Sequence, residues 1–185
     1  KLSLTKGVVV IIVEILGGIS GAALTYALTP SSSPPHLGDT ILNKDMSTIQ
    51  GLFVEFILTF VLTLTVYSAS GLGPKFERYH SSLMYGLAVV MCNLVGYKYT
   101  SCSINPVRSF GPAVIRELSG IGKPQSEWQY HWIYWIGPIA GSLFGGVIYH
   151  FLYAQPSFDG DITYKPRYSR TSTQFRDREE NETNL

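Results

Sequence analysis

The tetrapeptide Asn105-Pro106-Val107-Arg108 puts an amide, a helix-starting residue and a cation side by side in an otherwise apolar stretch. Asn is among the strongest N-cap residues and Pro suits the first helical position, so the pair predicts a helix beginning at 106. The positive end of that helix and the Asn105 amide would offer donors to a passing oxygen and hold back cations, protons included. Arg108 falls in the first turn beside the amide. A charge at membrane depth is expensive and almost always faces water or a partner, so Arg108 is expected to border a narrow aqueous passage rather than snorkel to the interface. Glu55 and Glu14 are each the single charge in an apolar run. Irregular backbone inside a membrane needs internal partners, so both are expected to accept N–H groups from a loop at that depth.

The elements that must hold these groups can be read from four apolar blocks, at 7–28, 49–70, 82–97 and 132–153. Each is about as long as a helix needs to cross ~30 Å of hydrocarbon, the third only just. The stretch from 106 to 116 is apolar but too short to cross, which predicts a half-helix entering the membrane partway. Such backbone is tolerated only where protein or water surrounds it, and that points to a pore. The expected fold is therefore an all-α membrane protein with four transmembrane helices and one re-entrant half-helix, over residues 1–154. Residues 155–185 carry five basic and six acidic groups and read as a disordered polar tail. Basic residues divide nine to five in favour of the side holding the start, the 71–81 loop and the tail, which predicts a cytoplasmic tail. Gly17/Gly21 and Gly137/Gly141/Gly145 have the spacing that lets helix backbones approach closely.

Several functions find no support. A net charge of +1 gives no hint of a nucleic-acid partner. The two cysteines, Cys92 and Cys102, make neither a disulfide framework nor a zinc spacing. No nucleophile–base set or metal cluster stands out, so neither an enzyme nor a cofactor is expected. The sequence begins at Lys1 rather than Met, and it is expected to start inside a longer protein.

The segment YTSCSINPVRSFGPAVI, Tyr99 to Ile115, resembles the second signature loop of the aquaporin (major intrinsic protein) family. His131 to Tyr149 resembles that family's sixth helix, Gln50 to Ala69 its fourth, Gly86 to Asn93 its fifth and VEILGGISGAAL its third. The likeness runs in order from about Lys6 to Ala154. It implies a six-span parent of two inverted repeats, of which the first two spans and the first half-helix are missing here. A chain with one half-helix is not expected to conduct alone.

The resemblance also implies roles by position. Asn105, Pro106 and Val107 match the second Asn-Pro-Ala box, with Val in place of Ala. Glu55 matches the buried glutamate of the fourth helix. Arg108 matches the arginine of the outer constriction, and Cys102 the loop position whose carbonyl faces it. A cysteine there confers mercury sensitivity in some members; an exposed thiol would allow such blockage, a buried one would be passive packing. Asn93 falls on the fifth-helix constriction position, where water channels usually have His and glycerol carriers something smaller. Ser109, Ala113 and the pair Tyr134-Trp135 occupy positions that separate the two groups, and they favour water. The implied function is passive single-file water flow across a lipid bilayer, with protons and cations excluded. The implied assembly is a homotetramer in the plasma membrane. Passage of glycerol, urea or another small neutral solute is the rival within the channel class. A non-conducting membrane scaffold is the rival from another class.

Overall fold

The structure is a computed structural model. It divides the chain into two units, Lys1–Tyr153 and Ala154–Leu185. It describes residues 3–30, 37–71, 74–120 and 128–153, all in the first unit. The expected polar tail lies outside the described residues.

Five long helices form the described framework: α1 (Leu4–Leu28), α2 (Thr48–Gly71), α3 (Pro74–Thr100), α4 (Pro106–Ser119) and α5 (Ile133–Tyr153). Their ends have local causes. The Ser3 hydroxyl caps α1 by accepting from the Lys6 N–H. A reciprocal box opens α2: the Gln50 side-chain oxygen accepts from the Ser47 N–H at 2.8 Å, and Ser47 Oγ accepts from the Gln50 N–H at 3.3 Å. Asn105 caps α4, Pro106 begins it, and Gly120 ends it at φ 69°, the left-handed conformation that glycine adopts without penalty.

Among the described residues, three helices are long and apolar enough to cross a membrane by length and composition: Leu4–Leu28, Thr48–Ala69 and Ile133–Leu152. The stretch expected as a span at 82–97 is only part of α3, which has 27 residues. Residues 74–81 of the expected 71–81 loop, with the charged Lys75, Glu77 and Arg78, do not form a loop. They instead sit on the helix, where they lower its average hydropathy without interrupting it. The helix α4, with 14 residues, is about 21 Å long and too short to cross.

The packing has two parts joined by α4. Helix α2 packs against α5 and α3, α1 packs on α4, and α4 reaches α5. Glycines set the closest approaches. A Cβ on Gly137 would lie 2.8 Å from the Glu55 Cβ, and one on Gly145 would lie 3.0 Å from the Thr63 Cβ. A Cβ on Gly141 would collide with the Phe56 carbonyl oxygen. The whole α5 glycine series therefore faces α2. The α1 series does not behave alike: Gly17 and Gly21 meet nothing within 4 Å, and the contact glycine is their neighbour Gly18, opposite Gly111 and Val107.

Polarity runs inside out for a water-soluble protein. Glu55, Thr100, Ser103 and Ser109 are buried, while Val9 to Val13 on α1 and Leu87, Met91 and Leu94 on α3 are exposed. Contiguous apolar surface of this extent needs an apolar surround, and a bilayer supplies one.

A methyl group on Gly18 would lie 2.6 Å from Val107 Cγ1 and 3.2 Å from the Val107 carbonyl oxygen. Gly18→Ala is therefore expected to destabilise by about 1–3 kcal/mol, the usual range for overpacking. Thermal unfolding in detergent should show a lowered Tm, with most of the loss recovered when Val107→Ala is added. A Tm unchanged by Gly18→Ala would show that the two helices can part freely.

Candidate functional site

The site begins where α3 ends. Between Thr100 and Asn105 the chain reverses through three non-glycine residues with positive φ: Ser101 at 59°, Cys102 at 52° and Ile104 at 50°. For a β-branched residue such as Ile104 this conformation is a true outlier, and residues held so cost of order 1–3 kcal/mol each. Surrounding structure must impose it.

That structure is chiefly one carboxylate. Glu55, on α2 and 0% exposed, accepts the Ser103 N–H on Oε1 at 2.9 Å and the Ile104 N–H on Oε2 at 2.8 Å. With one N–H on each oxygen, two successive backbone donors are satisfied away from water. The remaining N–H groups of the turn are also accounted for. Ser101 donates to the Tyr97 carbonyl at 3.0 Å, and Cys102 donates to Thr100 Oγ1 at 3.3 Å. The Ser103 hydroxyl donates to the Asn105 carbonyl at 2.9 Å and lies 2.5 Å from the Ser109 hydroxyl, which ties the turn to α4.

Asn105 leaves the turn extended, at φ −154° and ψ 119°, and its side-chain oxygen accepts the Val107 N–H at 2.9 Å. The carbonyl end of the amide is thus fixed to the helix, and its NH2 end remains a donor. Arg108, one turn on, donates from Nη1 to the Gly38 carbonyl at 2.9 Å and from Nη2 to the Ser101 carbonyl at 3.3 Å. Asn93, Cys102, Asn105, Pro106 and Arg108 all border one cavity of about 360 Å³. Leu62, Val89 and Ile139 add apolar wall to it, and Thr59, Tyr85 and Ser142 add hydroxyl-bearing side chains. Asn93 donates from Nδ2 to the Val89 carbonyl of its own helix at 2.8 Å, so part of its amide is turned back to the backbone.

The other expected residues lie elsewhere. Val107 points at Gly18, and this glycine is what accommodates a side chain larger than Ala at that position. Cys102 borders the cavity but is 0% exposed, and it packs with Cys92 and Leu58. The exposed thiol that blockage by mercury would need is not present in this arrangement. Glu14 lies on the exposed side of α1. The N–H groups of the turn are taken by Glu55, Thr100 and Tyr97, so Glu14 has no part in holding it. Ser109 and Ala113 are buried on α4, and Tyr134 is buried at the start of α5. Trp135 meets Phe110 edge-on with ring centroids 5.9 Å apart. None of these four borders the cavity of Asn105 and Arg108. They shape the packing behind it.

Residues that the sequence did not single out complete the site. The segment from Leu37 to Asn43 lies against the turn as a strap. The Ile41 N–H donates to Ser101 Oγ at 3.2 Å, the Asn43 N–H to the Tyr99 carbonyl at 2.8 Å, and Asn43 Nδ2 to the Lys98 carbonyl at 2.9 Å. Asp39 forms an ion pair with Arg116 of α4. His131 sits among aromatic rings, 4.8 Å from Trp128 and 6.2 Å from Phe110, and burial pushes its pKa below the ordinary histidine value.

A short helix that starts inside an all-helical bundle, with its polar end at a cavity and apolar residues outside, belongs to a multi-span membrane protein. The model of the family "Major intrinsic protein" matches residues 1–149, and the chain belongs to that family. Aquaporin-4 of Homo sapiens is 34% identical over 174 residues, covering 94% of this chain and 51% of that protein. Aquaporin-5 of Ovis aries is 36% identical over 152 residues, covering 82% of this chain and 54% of that protein. The chain thus spans about half the length of the curated relatives it matches. The X-ray structure of the aquaglyceroporin from Plasmodium falciparum superposes with a TM-score of 0.70 at 22% identity, covering 82% of this chain and 66% of that one. The helices described above have the aquaporin fold.

Glu55→Gln keeps the shape of the side chain but turns an NH2 group towards one of the two backbone donors. One buried N–H is then unsatisfied, at a cost of about 1–3 kcal/mol. The expected result is a clear drop in Tm in detergent, larger than that of Glu14→Gln, which should be near neutral. Equal effects of the two changes would contradict the geometry described.

Proposed function

We propose that the protein carrying this chain is a passive water channel. The observation that carries this reading is the convergence of Asn105, Arg108 and Asn93 on one cavity, with the start of α4 aimed at the same place. Water would pass in single file, its oxygen accepting from the Asn105 amide. The helix end and the Arg108 guanidinium add positive potential at the narrowing, which raises the barrier for protons and other cations. No bond is made or broken, so no group acts as acid, base or nucleophile. Membership of a family whose matched relatives are named aquaporins supports the reading.

The same proposal gives the surroundings. The chain would lie in the plasma membrane with its tail in the cytoplasm, as the division of basic residues favours. The apolar outer stripe of α3, through Leu83, Leu87, Val90, Leu94 and neighbouring residues, supports its reading as a fourth span. Assembly as a homotetramer, each protomer with its own pore, follows from the family resemblance. Passage of small neutral solutes is the second reading, and Asn93 favours it. An amide is smaller than an imidazole, and this one donates to its own helix.

Stopped-flow measurement on proteoliposomes holding the complete polypeptide separates these readings. Water flux is expected to exceed glycerol flux by orders of magnitude. Arg108→Val is expected to raise glycerol and proton leakage severalfold. Comparable water and glycerol fluxes in the unaltered protein would replace the water-selective reading with the neutral-solute one. Fluxes that ignore Arg108→Val would remove that residue from the pore.

A further inference from the structure

Two neighbouring residues of the strap reach two arginines on one helix. The Gly38 carbonyl accepts from Arg108 Nη1, and the Asp39 carboxylate pairs with Arg116. The arginines are eight positions apart on α4, a rise of about 12 Å. Gly38 has φ 77°, a conformation that a side chain would strain, and this backbone turn is what lets its carbonyl and the Asp39 side chain serve different partners. The ion pair is withdrawn from water: the Asp39 side chain is 5% exposed and that of Arg116 15%. Removing one member of such a pair leaves an uncompensated buried charge, so the pair resists separation.

Resting on the water-channel reading, we propose that Asp39 and Arg116 are positioning residues for selectivity. Their ion pair pins the strap to α4 and so keeps the Gly38 carbonyl on Arg108. Arg108 has two described carbonyl acceptors. The one on Ser101 is 3.3 Å away and belongs to the turn that Glu55 holds. The one on Gly38 is closer, at 2.9 Å, and the strap's bonds to that turn and to the end of α3 begin only at Ile41, three residues further on. Leu37, on one side of Gly38, is anchored by packing with Ala22 and Ile115, which has no directionality. Asp39, on the other side, supplies the directional contact. Without the pair the Gly38 end of the strap can lift while Ile41 and Asn43 stay bonded, and Arg108 keeps only the longer bond. A guanidinium held at one point samples more rotamers, and the narrowing widens for solutes larger than water.

The test measures the ratio of glycerol to water permeability by stopped flow, in proteoliposomes holding the complete polypeptide. Once the permeability of protein-free liposomes is subtracted, the ratio does not depend on how much protein has folded, so a purely structural role would leave it unmoved. Four variants are compared: Asp39→Asn, Arg116→Gln, the exchanged pair Asp39→Arg with Arg116→Asp, and Arg108→Val as reference. Each single change at the ion pair should raise the ratio severalfold in the direction of Arg108→Val. The exchanged pair should return it towards the unaltered value, as coupled residues do. A raised ratio for Arg108→Val with unaltered ratios for Asp39→Asn and Arg116→Gln overturns the positioning role alone. An unaltered ratio for Arg108→Val overturns the selectivity reading of that residue, and the positioning role with it. If the single variants do not reach the membrane, the exchanged pair decides: an unaltered ratio supports the proposal and a raised one overturns it.

Discussion

One buried carboxylate makes the rest of the site possible. The turn between α3 and α4 holds three non-glycine residues with left-handed backbone, and this strain has to be offset from outside. Glu55 does so by taking two successive N–H groups, one on each oxygen. With those two amides fixed, the Ser101 carbonyl faces Arg108, Asn105 is delivered to the cap of α4, and the helix starts inside the bundle instead of at its surface. Glu55 is itself held by its place on α2, where Gly137 lets the α5 backbone close over it. A bulkier residue at 137 would meet the Glu55 Cβ first, and then the α2 backbone at Leu52 and Phe56.

The half-helix is then confined from several sides, by different kinds of contact. On one side α1 crosses so closely that Gly18 and Gly111 meet backbone to backbone. Phe110 packs into the ring cluster of Trp128, His131 and Trp135. Across the strap, the two arginines of α4 take a carbonyl and a carboxylate. Close backbone approach suits a membrane, where apolar burial gives no preference for helix over lipid and packing has to supply specificity. Hydrogen bonds and charges are kept for the interior, where an unpaired group would be costly.

Much of this was legible in the sequence, for identifiable reasons. The spans at 7–28, 49–70 and 132–153 stand out because a membrane demands long apolar runs, and the Asn105-Pro106 pair joins a strong N-cap to a residue suited to the first helical position. A lone glutamate in an apolar run must find donors, and an irregular loop at the same depth must find acceptors. Those two requirements pointed to each other. What stayed hidden depended on register or on distance along the chain. Gly17 and Gly21 have the right spacing, but the neighbouring face carries the contact, and one residue turns a helix by about 100°. Charges at 75–78 looked like the end of a span, although a helix can continue past the hydrocarbon. No local pattern links residues 38–43 to 98–101 or to 116, so the strap and its ion pair become visible only in three dimensions. Glu14 looked equivalent to Glu55 by the same reasoning, but only one of the two helices lies beside the turn.

Hydrogen–deuterium exchange at the Ser103 and Ile104 amides, resolved by NMR in a membrane mimetic, tests the central claim directly. Both N–H groups are outside regular secondary structure and have Glu55 as acceptor, so their exchange is compared with that in Glu55→Gln, which keeps the burial and loses one of the two bonds. Protection comparable to the middle of α2 is the expected result. Exchange at the rate of an open loop would show that the carboxylate does not hold the turn, and the account built on it would fail.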